Sequence, residues 1–300
     1  MTIPVITAEK VTRRFGDTTA LDHVSFTLER PEIIGLLGRN GAGKTTLMSL
    51  ITGQDRPTAG SVLVHGENPF ESAHTQDELS FIRDNQRYPD DYRLRHVLRI
   101  APWFHANWSA DLAEHLLEVF RLPEKTKVKS FSRGQLSALG VVVGLASRAP
   151  LTFLDEPYLG LDATARQLFY DTLITDHAEH PRTVIASTHL IDEMAPLFSR
   201  VLVLDRGKLV IDRDADDLHG YAHTVSGIAA RVAPFVAGAD VLTTHRVGAL
   251  TSITVRGPID PATASRAAHE GVDIQAATLQ QVVNAIGSAQ QPSETLKEAS

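Results

Sequence analysis

The strongest chemical signal in the chain is the run Gly38-Arg39-Asn40-Gly41-Ala42-Gly43-Lys44-Thr45-Thr46. It fits the pattern G-x4-G-K-[ST] and stands between a short apolar run, Ile33 to Leu37, and a helical run that ends near Gly53. Glycines let a backbone wrap closely around an oxyanion, so that successive N–H groups point inward. The helix that follows adds the partial positive charge of its N-terminus. At this spacing Lys44 reaches the β- and γ-phosphates of a nucleotide, and the Thr45 hydroxyl is offered to Mg²⁺. Such a loop reads as nucleotide binding. By itself it does not say which machine uses the nucleotide.

A second constellation supplies a metal ligand and a base. Leu151-Thr152-Phe153-Leu154 is an apolar strand that ends in Asp155-Glu156-Pro157. Two adjacent carboxylates at a buried strand end are costly unless a cation or a reaction needs them. Asp155 is expected to hold Mg²⁺ through water, and Glu156 to polarise an attacking water. Ser187-Thr188-His189 closes the next strand, where a neutral imidazole could hold water and phosphate in line.

These groups need a scaffold that brings strand ends together. The spacing predicts strands over Val5 to Val11, Val24 to Leu28, Ile33 to Leu37 and Ser61 to Val64, with a turn at Gly16-Asp17. From about 91 to 148 the pattern is helical: Ser109 is placed to cap one helix, and a second runs from Gly134 to Arg148. Strand signals return at Leu151 to Leu154, Thr183 to Ser187 and Val201 to Leu204, with helices over 162–178 and 190–198 between them. Alternating strands and helices predict a parallel sheet covered by helices. Beyond Gly220 the texture changes to short strands, such as Thr251 to Val255, and helices over 261–269 and 277–285. We read residues 221–288 as a small α+β accessory domain, and 289–300 as a disordered tail. His223 and His245 lack metal-ligand spacing.

Composition narrows the function classes. The 300 residues carry a net charge of -7, so no global basic field invites nucleic acid. There is no cysteine, which excludes disulfides and thiolate metal sites and fits the cytosol. No apolar run approaches the roughly 18–20 residues of a membrane span, and the N-terminus lacks a signal-peptide core.

Taken in order, the motifs over roughly residues 5–220 resemble the ATP-binding-cassette (ABC) ATPases. Gly38 to Thr46 resembles the Walker A motif, Leu151 to Glu156 Walker B, and Phe131-Ser132-Arg133-Gly134-Gln135 the signature LSGGQ. Gln86 fits the Q-loop glutamine, Asp162 the D-loop, His189 the switch histidine, and Phe15 the adenine-stacking aromatic. The resemblance implies an α/β fold of phosphate-loop type: a RecA-like core, an antiparallel β subdomain and a helical subdomain over about 87–148, all within 1–220.

It also implies two subunits meeting head to tail. Each ATP would lie between one subunit's phosphate loop and the other's Ser132, Arg133, Gly134, Gln135 and Asp162, with Mg²⁺ held by Thr45, Gln86 and Asp155. Lys44, Gln86, Glu156 and His189 are then the residues that work on the γ-phosphate. The implied partners are a second cassette and separately encoded transmembrane permease subunits, with the chain peripheral on the inner face of the cell membrane. The helical subdomain, with Trp103, Phe104 and Trp108, would face the permease. The Phe-Ser-Arg-Gly signature and the short C-terminal domain are closer to subunits of ABC-2-type permeases, often exporters.

Arg133 stands where the signature has glycine, and Tyr158 where a small hydroxyl residue is usual; the second change predicts altered packing. Two other classes fit less well. DNA-repair members carry long coiled coils between their motifs and translation-type members usually carry two cassettes, neither of which fits here. A regulatory module without turnover has no need of the intact Asp155-Glu156 pair.

Overall fold

The computed structural model describes residues 3–83, 86–218 and 220–289. A first antiparallel sheet is formed by β1 (Ile6–Phe15), β2 (Thr18–Leu28) and β4 (Ala59–Val64), in the order β2-β1-β4. The hairpin turns at Gly16-Asp17, as expected, and both strands run further towards it than their apolar patterns suggest. Between β2 and β4 come β3 (Ile33–Leu37) and α1 (Lys44–Ile51). The chain then continues through α2 (Ala73–Asp77), β5 (Leu79–Arg83), α3 (Leu94–Ile100), α4 (Ala110–Val119) and α5 (Arg133–Ala146). It returns through β6 (Leu151–Asp155), α6 (Ala163–Glu179), β7 (Thr183–Ser187), α7 (Ile191–Met194), β8 (Arg200–Asp205) and β9 (Lys208–Asp214).

The main sheet has the order β5-β6-β7-β3-β8-β9. All its pairs are parallel except β8 with β9, so the expected parallel sheet carries an antiparallel edge strand. Strand alternation divides its side chains between two cores. Ile33 and Leu37 face one, with α3 to α6; Ile34 and Leu36 face the other, with α1 and the first sheet. Val184 and Ala186 against Ile185, and Val201 and Val203 against Leu202 and Leu204, repeat that division. Each fully buried side chain of this kind contributes about 1.5–3 kcal/mol.

Helix α5 is buried at every position from Ser137 to Ala146, which accounts for its all-round apolar sequence there. A Cβ on Gly144 would come within 2.7 Å of Ile82, and one on Gly140 within 3.0 Å. Those two glycines therefore seat β5 against the helix. The helix expected over 190–198 is only α7 and a 3-10 turn, because Pro196 cannot continue the backbone ladder.

The C-terminal region forms a separate sheet, β11-β12-β10-β13, from β10 (Ala222–Ile228), β11 (Val241–Val247), β12 (Leu250–Arg256) and β13 (Asp273–Ala276). Helices α8 (Ala229–Val236) and α9 (Pro261–His269) close a small core of Val225, Val232, Ala267 and Val272. The last helix, α10 (Leu279–Ala289), leaves that core: Val282, Val283, Ala285 and Ile286 pack into the main one. The tail from 290 lies outside the described residues.

Candidate active site

Parallel register brings the functional strand ends level. Leu36 pairs with Ser187, Asp155 with Ser187, and Arg83 with Asp155. Open α/β sheets bind ligands beyond such carboxyl ends. Here a cleft of about 500 Å³ opens there, lined by Asn40 to Thr46, Arg83, Asp155, Glu156 and Leu159.

Sequence and space agree along the phosphate loop. A Cβ on Gly38 would meet the Leu204 carbonyl at 2.2 Å, so only glycine lets the loop cross β8. Gly41 has φ 79° and open space around it, on the side where a ligand would approach. Gly43 caps α1 without a side-chain bond, and no acid stands in the first turn. The positive end of the helix is thus left for an anion. Lys44 is buried, and its ammonium donates to the carbonyls of Gly38 (2.7 Å) and Arg39 (3.2 Å). Burial holds its pKa below the ordinary lysine value, against the opposing pull of Glu156 and Asp155.

Asp155 accepts two hydroxyl bonds. The Thr45 hydroxyl donates to its Oδ2 at 3.1 Å, and the Ser187 hydroxyl to its Oδ1 at 2.5 Å. A hydroxyl and a carboxylate side by side are hard oxygen donors. They suit Mg²⁺, which takes few protein ligands and completes its shell with phosphate and water.

Glu156 leaves the strand with φ 52°, a left-handed conformation uncommon for a residue with a side chain. Its Oε2 accepts from Tyr158 Oη at 2.6 Å and lies 2.5 Å from His189 Nδ1. Tyr158 is 1% exposed, so the large residue at this position is absorbed into the core, and its hydroxyl joins the site. Sequence reasoning anticipated a packing change there and missed the hydrogen bonds. Those to Thr188 and His189 join residues 30 and 31 positions apart and become visible only once β6 and β7 are paired.

Several expected residues lie elsewhere. Gln86 is not in the cleft lining; its N–H donates to the Arg83 carbonyl (3.3 Å), and its Oε1 is buried with no partner among the described residues. Arg83, at the end of a strand that the apolar pattern does not reveal, lines the cleft instead. Arg39 contributes its carbonyl, while its guanidinium turns away to the Gly287 carbonyl of α10 (3.4 Å). Phe15, at the hairpin tip, is half exposed, with the Arg13 guanidinium 4.4 Å over its ring. Trp108 packs against the main core, whereas Trp103 and Phe104 are 74% and 66% exposed.

The signature residues form a second hollow, with no residue in common with the cleft. Ser132, Gly134, Gln135, Gly160 and Asp162 are among those lining it. Ser132 caps α5 in a reciprocal pair with Gln135: the Gln135 N–H donates to Ser132 Oγ (3.2 Å) and the Ser132 N–H to Gln135 Oε1 (2.9 Å). A Cβ on Gly134 would lie 2.4 Å from the Gly160 carbonyl, so the start of the helix is pressed against the loop before Asp162. Asp162 itself caps α6 by accepting from the Ala165 N–H (2.8 Å).

Comparison with known proteins identifies the family. Residues 21–159 match the family model described as ABC transporter. The chain is 31% identical over 218 residues to the Nod factor export ATP-binding protein I of Burkholderia lata, covering 71% of each chain. It is 35% identical over 202 residues to the aliphatic sulfonates import ATP-binding protein SsuB 1 of Nocardia farcinica, covering 67% of this chain and 78% of that one. A solved ATP-binding subunit of an ABC transporter superposes with a TM-score of 0.64 at 24% identity, over 71% of this chain and 91% of the other. The chain therefore belongs to the ABC transporter ATP-binding proteins, as an ATPase of that family.

Proposed function

We propose that this chain binds Mg-ATP in the cleft between the phosphate loop and Asp155-Glu156, dimerises around two nucleotides, and drives a separately encoded permease. One observation carries the catalytic part: Lys44, Thr45, Asp155 and Glu156 line a single cleft at the uncapped start of α1. Lys44 and the α1 N-terminus take the β- and γ-phosphates. Thr45 and Asp155 would hold Mg²⁺, which supplies charge neutralisation to the phosphates when bound. Glu156 orients the water and accepts its proton. His189 leaves Glu156 to meet the γ-phosphate, and Phe15 offers the ring face opposite Arg13 to the base.

The signature hollow shares no lining residue with the cleft, and we assign it to the nucleotide of a second chain. A second copy turned head to tail would bring its Ser132, Gly134 and Asp162 to the first copy's phosphates, with Arg133 beside them. The permease then bears on the helical subdomain, where Trp103 and Phe104 stand out in solvent. Among the described residues no helix is long and apolar enough to cross a membrane, which fits a chain held peripherally on the inner face. An ABC-2-type permease and outward transport are the reading we favour from the signature and the C-terminal domain. Relatives named for export and for import resemble the chain to similar degrees. Residues 221–288 act as a brace, since α10 touches Arg39 of the phosphate loop and its Gln280 N–H donates to Asp192 Oδ1 (3.0 Å).

Mg-dependent ATP turnover by the purified chain tests the catalytic part, and co-purification with the permease tests the partner. Replacing Trp103 and Phe104 by serine should leave turnover of the isolated chain unchanged and abolish permease capture. Retained capture would refute that docking surface.

A further inference from the structure

The hydrogen bonds around Tyr158 can be assigned proton by proton. A phenol hydroxyl has one proton to give and two lone pairs to receive. The His189 backbone N–H donates to Tyr158 Oη (2.9 Å), which uses one lone pair. Thr188 Oγ1 lies 2.6 Å from Tyr158 Oη and already accepts from the Leu190 N–H (2.9 Å). The phenolic proton goes to the carboxylate oxygen Glu156 Oε2 at 2.6 Å, a shorter and charge-assisted bond, in preference to His189 Nδ1 at 3.3 Å. Thr188 Oγ1 then gives its own proton to the second lone pair of Tyr158 Oη. The result is a directed chain, Leu190 N–H to Thr188 to Tyr158 to the Glu156 carboxylate, anchored by the His189 backbone.

The two side chains on Glu156 Oε2 differ in freedom. The His189 side chain is 52% exposed and can swing. Tyr158 is 1% exposed, packed in the main core, and cannot. Both bind the same carboxylate oxygen, which leaves Oε1 as the oxygen that takes neither bond.

We propose that Tyr158 is the positioning residue for the general base: it fixes Glu156 Oε2 from the core side, so that Oε1 stays aimed at the water when His189 turns to the γ-phosphate. The inference rests on the reading of Glu156 as that base. Because Tyr158 is tied to the His189 backbone as well, a shift of the switch segment is passed directly to the carboxylate. A small hydroxyl residue in its place would not span both partners.

The test is ATP turnover by the full chain against ATP concentration for wild type, Tyr158→Phe, Thr188→Val and Glu156→Gln, and for the first two substitutions combined with Glu156→Gln. Tyr158→Phe keeps the ring and removes the hydroxyl, as donor to Glu156 and as acceptor from His189. The expected result is a kcat lower by about tenfold, since a displaced base loses alignment, with KM for ATP within about twofold. Because Tyr158 acts through Glu156, the same substitution should cost no more than about twofold once Glu156→Gln is present. Thr188→Val should follow the same pattern with a smaller loss. An unchanged kcat in Tyr158→Phe would overturn the proposal, and so would an equal loss in the Glu156→Gln background, because a packing defect alone produces that. If Tyr158→Phe does not bind ATP, Thr188→Val decides on the same criterion. Wild-type turnover in Glu156→Gln would instead remove the base assignment beneath the proposal.

Discussion

The phosphate-loop cleft and the signature hollow are two ends of one ATPase, and they differ in what each still requires. In the cleft, loop, ammonium, metal ligands and carboxylate already stand within reach of one another. In the hollow, the helix start is satisfied internally by the Ser132–Gln135 pair and offers mainly shape. On the function proposed above, the first would bind in its own right and the second only against another surface. Substitutions in the cleft should then act on a single chain, and those in the hollow only on the assembled pair.

The largest separation should come from Glu156→Gln, which removes the base and preserves the shape. Turnover should fall by roughly 10²-fold or more while ATP still binds. Equal loss of binding and turnover would place Glu156 in ground-state recognition instead.

Next is Ser132→Ala. It should reduce turnover by about tenfold and leave the ATP affinity of the single chain unchanged, at a cost of about 1 kcal/mol in stability from the lost cap. Isothermal titration at low protein concentration, beside steady-state hydrolysis, distinguishes the two effects. A weakened single-chain affinity would mean that the hollow belongs to the same chain's nucleotide.

The buried lysine adds a pH signature to the cleft that the hollow lacks. A lysine whose pKa falls on folding destabilises the folded state while it is charged. That penalty is relieved as pH rises from the lowered value towards the unfolded 10.5. Stability of the ligand-free wild type should therefore rise over that window relative to Lys44→Met. Urea midpoints of the two proteins at neutral and alkaline pH check the sign, and parallel curves would contradict it.

The smallest effect is expected where α10 meets the loop. Arg39→Ala removes a 3.4 Å bond to the Gly287 carbonyl, worth at most about 1 kcal/mol. It should leave the ATP affinity of the cleft within about threefold, as binding measurements would show.

The same division explains what could be read in advance. Motifs that are contiguous, such as Gly38 to Thr46 and Leu151 to Glu156, carry their strand or helix context with them, and their elements lie where the sequence implies. Leu79–Arg83 was not legible as a strand because Ser80 and Arg83 interrupt a run of only five residues, and its support is the glycine face of α5. Lys208–Asp214, the antiparallel edge, is polar at both ends and pairs with one strand only. Gln86 illustrates the limit of spacing arguments: the strand ends at Arg83, and the side chain that reaches the cleft is the arginine. The docking of α10 into the main core is a long-range contact that no local periodicity encodes.

The central claim is that a complete site needs two chains. Light scattering of Glu156→Gln, with and without Mg-ATP, tests it most directly. The account predicts the mass of one chain without nucleotide and twice that mass with it. A single-chain mass with ATP bound would contradict it.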